Sequence, residues 1–439
     1  MTRTQDRRNA FDSLLRRSPS TRIEWGLERI ACLLDAVDSP QNAYRSILVG
    51  GTNGKGSVAA ICEAVLRAHG TRTGLYTSPH LIDAAERVKV GGVPLEEDLL
   101  ERCAREVLPS AERADATFFE SLTAVAFLAF AEAGVEVAVV EVGLGGRFDA
   151  TNVLRPDACV ITGVAMDHSD WLGDSLGQIA AEKSGIIKSR TPLVTGRLVP
   201  EVEIVIAARA TELEAPRVAF DRDFDVGDVS TGRGGTRFTY RIVRSGPQSD
   251  RCPRELDGES FALPLPGEHQ ALNASLALSA VSAAGLAVRA ESTRTALKGV
   301  HWPGRLQVLA VGDATVVLDV AHNPAGVESL TRALEQIALP APIVGLVGIL
   351  GDKPWPEMLE PLMRTVGMAV FTVPESAPVS RAWDPEEARN AIGEQAVEVV
   401  PGFAEALERA LELAGSGTVL VTGSNHTVGD ALRRLQKQN

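Results

Sequence analysis

Cysteine is sparse in this 439-residue chain: Cys32, Cys62, Cys103, Cys159 and Cys252, with no Cys-x-x-Cys pair among them. An odd, scattered set argues against both a disulfide framework and a thiolate zinc site. Most of these residues read as small buried apolar groups. No apolar run approaches the ~20 residues of a membrane span. The Arg-rich start, residues 1–17, carries Asp6 and Asp12 and lacks an apolar signal core, so a cytoplasmic protein is expected. Positive charge is in deficit. A net charge of −13 argues against a general nucleic-acid surface. Lys-x-Asp occurs nowhere, which removes the usual guanine-reading motif of a nucleotide switch, although Asp170-Trp171-Leu172-Gly173 imitates a switch pattern. Internal repeats and low-complexity tracts are also missing. What remains is an ordinary globular composition, 45% apolar and 23% charged, long enough for two or three domains.

Against those absences stands Val49-Gly50-Gly51-Thr52-Asn53-Gly54-Lys55-Gly56-Ser57. The apolar run Ile47–Val49 precedes it and Val58–Ile61 follows, which reads as strand, glycine-rich turn, helix. Such a turn aims backbone N–H groups at phosphate oxygens, and the helix start and Lys55 add positive charge. The general phosphate-loop pattern is broken twice. Val49 holds the first glycine position, and Gly56 separates Lys55 from Ser57.

From residue 44 to about 195, apolar strands alternate with helices. Strands are expected at 44–49, 75–77, 137–142 and 158–162, and helices at 57–69, 122–133 and 175–187. This implies an α/β fold with a mainly parallel, phosphate-loop-containing sheet covered on both faces. Residues 221–260 change character, and the strands 236–243 and 261–265 predict a small antiparallel elaboration with an exposed loop near 245–254. A long helix, 271–284, follows. A second α/β series starts after Pro303-Gly304-Arg305. Its strands are expected at 315–318, 343–347, 369–373 and 418–421, with helices such as 385–392 and 404–414. The chain therefore divides into residues 1–304 and a Rossmann-like domain, 305–439.

Functional groups in such sheets gather past the carboxyl ends of strands. Ser78, in Thr77-Ser78-Pro79-His80, follows one strand, where it is either a turn signal or a ligand for cation or phosphate. Glu141 ends another, placed to hold Mg²⁺ or to pair structurally. His168, after Asp167, follows a third. Lys183 lies near a helix end, where a solvated lysine is the plain reading. Asn273, after Gly267-Glu268-His269-Gln270, opens the long helix as a cap or a base-binding group. Arg305 can clamp phosphate across the domain gap. Asp319 and His322, in Asp319-Val320-Ala321-His322-Asn323-Pro324, lie at the carboxyl edge of the C-terminal sheet, and Ser424 lies at the equivalent edge after the last strand.

The assembled motifs resemble the folylpolyglutamate synthase/dihydrofolate synthase family of the Mur-ligase superfamily. They run from Gly26-Leu27-Glu28-Arg29-Ile30 through the glycine loop, Thr77-Ser78-Pro79-His80-Leu81, Glu86-Arg87-Val88 and Thr117-Phe118-Phe119-Glu120. They continue through Glu141 to Asn152, Asp167-His168, Glu182-Lys183-Ser184-Gly185-Ile186, His269-Gln270, Pro303-Gly304-Arg305 and Asp319 to Pro324. The resemblance implies a ligase in which ATP phosphorylates a carboxylate and L-glutamate displaces phosphate from the acyl phosphate. Implied partners are small molecules: ATP, L-glutamate and dihydropteroate or a reduced folate, with no nucleic acid, no membrane and a monomeric enzyme. Implied nucleotide-binding residues are Thr52, Asn53, Gly54, Lys55, Gly56, Ser57, Asn273 and Arg305. One Mg²⁺ would be held with the phosphates by Ser57, and a second by Ser78, Glu141 and His168. Lys183 matches a lysine that becomes carbamylated. Glu120, Asp319 and His322 join Lys183, Glu141 and His168 as catalytic candidates, and Ser78, His80 and Ser424 lie on the substrate side.

Two segments depart from the family pattern. Ile82-Asp83-Ala84-Ala85 stands where relatives carry bulkier or basic residues, and Asn425-His426-Thr427 where they carry Leu-Tyr and an apolar residue. The former bears on acceptor choice, the latter on the glutamate side. A cell-wall Mur ligase is the nearest rival, and the Lys-Gly-Ser loop argues against it.

Overall fold

The computed structural model describes residues 9–17, 26–393 and 396–438. Its larger sheet holds β1 (Arg45–Gly50), β2 (Thr73–Tyr76), β3 (Val88–Val90), β4 (Val93–Pro94), β5 (Val137–Glu141), β6 (Ala158–Ile161), β7 (Leu193–Thr195) and β8 (Arg217–Ala219). Their spatial order is β4-β3-β2-β5-β1-β6-β7-β8. Pairings from β2 through β8 are parallel, and β3 and β4 add an antiparallel edge. All five residues of β5 are buried, as a strand covered on both faces requires. Alternate side chains feed two cores. Leu48 and Val140 pack with the helices Glu97–Arg113 and Phe118–Glu132 on one face. Ile47, Val49 and Val139 pack with Lys55–Ala68 and Glu268–Ala283 on the other.

The antiparallel elaboration is a separate three-stranded sheet of β9 (Phe224–Gly232), β10 (Gly235–Ile242) and β11 (Ser260–Leu263), ordered β11-β10-β9. Tyr240 ties it to the helix Glu268–Ala283 through a 2.8 Å contact with the Ser279 hydroxyl. The adjoining loop is exposed at Ser245 and Arg254 but dips inward at Cys252, which is 2% exposed. All five cysteines are free, and only Cys32 is exposed.

The C-terminal sheet comprises β12 (Gln307–Val311), β13 (Ala314–Leu318), β14 (Ile343–Val347), β15 (Met368–Phe371), β16 (Val397–Val399) and β17 (Thr418–Thr422). Its order is β12-β13-β17-β14-β15-β16, parallel except for β12. Apolar clusters cover both faces, as in a doubly wound fold. Among the described residues no helix is long and apolar enough to cross a membrane.

Candidate active site

The glycine loop joins β1 to the helix Lys55–Ala68. Gly54 precedes that helix with φ +86°, and an added Cβ would sit 2.6 Å from the Asn273 side-chain oxygen. Only glycine meets both demands without strain. The loop is anchored on the segment after β6. Thr52 N–H donates to the Gly163 carbonyl at 2.8 Å, and the Thr162 hydroxyl donates to the Asn53 carbonyl at 2.6 Å. Lys55 Nζ folds back on the Thr52 carbonyl at 3.0 Å. The Ser57 hydroxyl is buried and has no protein partner. Trp302 packs its indole against Gly56, 3.1 Å from where a side chain would begin, and carries Lys89 over its ring at 5.1 Å.

The field of Lys55 reaches Glu141, His168 and Lys183. Parallel pairing sets Glu141 beside Val49, at the mouth of the loop. Its Oε2 accepts from Ser78 N–H at 3.0 Å. Burial pushes the Glu141 carboxyl above its usual range, opposed first by Lys55 and then by the Ser78 hydrogen bond. His168 sits at φ +54°. Burial, then Lys353, lowers its pKa to about 4. Lys183 is 5% exposed and donates to the Gly51 carbonyl at 2.9 Å. Burial, reinforced by Lys55, brings its pKa down to about 7. Among the described residues no three His, Cys, Asp or Glu side chains form a metal cluster. The expected Mg²⁺ set contains only two such residues, Glu141 and His168, with serine hydroxyls for the rest.

The C-terminal domain closes the site from above. Arg305 lies in the fields of Asp319 and Glu141, one from each domain, and its burial opposes its charge. Asp319 holds the turn around Arg305, accepting from Leu306 N–H and Ala321 N–H, each at 2.9 Å. Asp167 is a hub between the halves. Its carboxylate meets Lys353 Nζ at 2.6 Å, Asn323 Nδ2 at 2.9 Å and His322 Nε2 at 3.7 Å. Asn323 also pairs amide to amide with Asn53 of the loop, at 3.0 and 3.1 Å. His322 Nδ1 faces the Val320 carbonyl at 2.8 Å. Asn273, beside Gly54, bonds Gln270 at 3.1 Å.

Residues 49–281 match the Mur ligase middle domain, and residues 304–425 match the Mur ligase, glutamate ligase domain. The dihydrofolate synthase/folylpolyglutamate synthase of Mycobacterium tuberculosis is 37% identical, over 95% of this chain and 88% of its own length. The chain belongs to the folylpolyglutamate synthase/dihydrofolate synthase family. Two solved structures agree. Mycobacterium tuberculosis folylpolyglutamate synthase complexed with ADP superposes with a TM-score of 0.87 at 35% identity, covering 97% of this chain and 99% of that one. Escherichia coli FolC in complex with DHPP and ADP gives 0.85 at 31% identity, covering 97% of each.

Three candidates of this family member lie in other surroundings. Glu120 is buried and committed: its oxygens take Arg29 Nε at 3.0 and 3.1 Å, and Oε2 also accepts from Thr117 N–H at 2.8 Å. It closes a capping box on the helix Phe118–Glu132. Ser424 is 1% exposed, and its hydroxyl meets Thr427 N–H at 3.1 Å at the start of the helix Asn425–Gln438. His80 Nδ1 accepts from Arg87 Nε at 2.9 Å. Burial, then Arg87, lowers its pKa to about 4. Sequence reading missed Asp167, Asn323 and Lys353 as site residues. The signal existed for Lys353, a lysine just past the carboxyl end of β14.

Proposed function

We propose that this chain is an ATP-dependent ligase joining L-glutamate to the carboxylate of dihydropteroate or a reduced folate. The observation that carries the reading is Lys55, set in a strand–loop–helix cradle between Glu141 of the larger domain and the lysine-lowering pocket of Lys183. An oxygen of the acceptor carboxylate attacks the γ-phosphorus of ATP, the bond to the β,γ-bridging oxygen breaks, and ADP leaves. The glutamate amine then attacks the acyl carbon, loses a proton, and the bond to phosphate breaks.

Backbone N–H groups of Thr52–Ser57, with Lys55, hold the phosphates. Arg305 and Asn273 bind nucleotide, while Asp319 and His322 line the glutamate side of the gap. The partnerless Ser57 hydroxyl and the Glu141 carboxylate suit hard cations, so Ser57 would hold a first Mg²⁺ with the phosphates, and Ser78, Glu141 and His168 a second. Bound there, Mg²⁺ would neutralise the charge that develops on the phosphates. Lys183 needs its neutral amine to become carbamylated: nitrogen attacks CO₂, a proton leaves to solvent, and an anion replaces the cation beside the phosphates. Residues 1–304 carry most of the nucleotide site, and residues 305–439 add Arg305 and the glutamate side. Five free thiols fit a reducing, cytoplasmic setting. A monomer is the expected solution state.

The test is ATP turnover with L-glutamate against dihydropteroate and tetrahydrofolate in parallel. ADP formation that needs both an acceptor and glutamate supports the reading, and the productive arm names the acceptor. Equal turnover without glutamate would overturn it.

A further inference from the structure

The loop that carries Ile82–Ala85 rests on the helix that begins at Asn425. The loop Ser78–Arg87 is a stiff bracket. Its root bonds Glu141 through Ser78 N–H. Its bend is held by Glu86, whose carboxylate accepts from Leu81, Ile82 and Asp83 N–H at 2.9, 3.0 and 2.9 Å. Its tip rests on the C-terminal helix Asn425–Gln438. There an added Cβ on Gly429 would collide with the Leu81 carbonyl oxygen. The Leu81 side chain lies over Gly304, where an added Cβ would meet its Cδ1 at 3.4 Å and Val428 Cγ1 at 3.3 Å. Arg433 reaches the Ile82 carbonyl at 3.3 Å, and Leu81 and Ile82 pack on the apolar cluster that includes Val428 and Leu432. One rigid piece therefore touches Glu141, the turn bearing Arg305, and the C-terminal helix.

We infer that Gly429 and Leu81 are positioning residues: the bare backbone at Gly429 admits the Leu81 carbonyl, and this seating sets how the C-terminal domain presents Arg305 to the Glu141 side of the site. The inference rests on the ligase reading, so its test has a readout independent of turnover. No φ in the left-handed range is found at Gly429, so alanine suits the helix itself and disturbs only the seat.

In Gly429→Ala, hydrogen exchange of the peptide spanning residues 79–86 should quicken while that of the peptide carrying β1 and the glycine loop holds. In the same variant kcat/KM for glutamate should fall about a hundredfold, the scale on which an ångström of misplacement acts. ADP affinity should fall as well, because Arg305 binds nucleotide, but by much less than kcat/KM, because the glycine loop is untouched. Glu86→Gln, which slackens the bracket from its other side, should show the same pattern. Unchanged exchange in a folded Gly429→Ala protein overturns the seating. Faster exchange with wild-type kcat/KM overturns its part in positioning. Failure of the wild type to turn over ATP strikes the ligase reading instead and leaves the exchange result standing.

Discussion

Lys55 is the residue whose charge the rest of the site is arranged around. It shifts Glu141, His168 and Lys183 together, so its removal takes away the chief attraction for phosphate. Lys55→Ala should stay folded and lose activity by about 10²–10³, as expected for one key electrostatic donor. Steady-state assay beside circular dichroism checks both halves, and near-wild-type turnover would end the phosphate-loop assignment. Lys183 gives a pH prediction. Its folded pKa of about 7 lies below the ordinary 10.5. Across that window the unfolded chain holds a proton that the folded protein does not, so this group's contribution makes stability rise with pH. The neutral amine that attacks CO₂ is gained in the folded protein as pH climbs through about 7. Incorporation of labelled CO₂ at Lys183 should therefore rise between about pH 6 and pH 8, near the shifted pKa. Lys183→Ala should be nearly inactive and partly rescued by acetate. A fully active Lys183→Ala would rule the modification out of the mechanism.

At the scale of elements, the strand–loop–helix at residues 45–68 was legible because apolar burial, glycine and helix start all point the same way. The central buried parallel strands were legible for the same reason, with ends displaced by only one or two residues, but β7 and β8, each three residues long, were not expected. The edge strands were not. β3 and β4 are three and two residues long, too short for a period to register. The helix Glu97–Arg113 escaped because it is polar on one side and carries Pro109. The helix Phe118–Glu132 begins before its apolar run because Thr117 and Glu120 cap it. Glu120 stands in a family signature, yet its oxygens are taken by Arg29 and Thr117. Thr117→Ala should cost about 1 kcal/mol of stability, as lost caps do. Glu120→Gln should lower the melting temperature while the folded enzyme keeps its kcat. A stable Glu120→Gln without turnover would return Glu120 to catalysis. Asp167, Asn323 and Lys353 were illegible as a group, because 156 and 186 residues separate Asp167 from its partners and only the closed fold joins them.

For the whole molecule, that hub acts as a latch. Asp167 and Lys353 are both nearly enclosed, with side chains 7% and 5% exposed. Against the penalty of burial, His322, Lys353 and His168 hold the Asp167 carboxyl well below the usual range. A depressed carboxyl pKa contributes stability at neutral pH that is lost only when pH falls through the folded value, so the latch survives mild acid. Removing one partner of an enclosed pair costs about 3–5 kcal/mol, because the other charge is left stranded. Asp167→Ala should therefore open the two halves. Small-angle scattering should record a larger radius of gyration, and turnover should fall more than nucleotide affinity. A compact, fully active Asp167→Ala enzyme would show that closure is set elsewhere.

Trp302 touches the phosphate loop at Gly56 and stacks under Lys89, and the chain has four other tryptophans. Its emission is therefore a native optical gauge of loop occupancy. Subtracting the spectrum of Trp302→Phe from that of the parent would isolate the signal. Nucleotide titrations could then be followed by light alone, with no label attached and no turnover required.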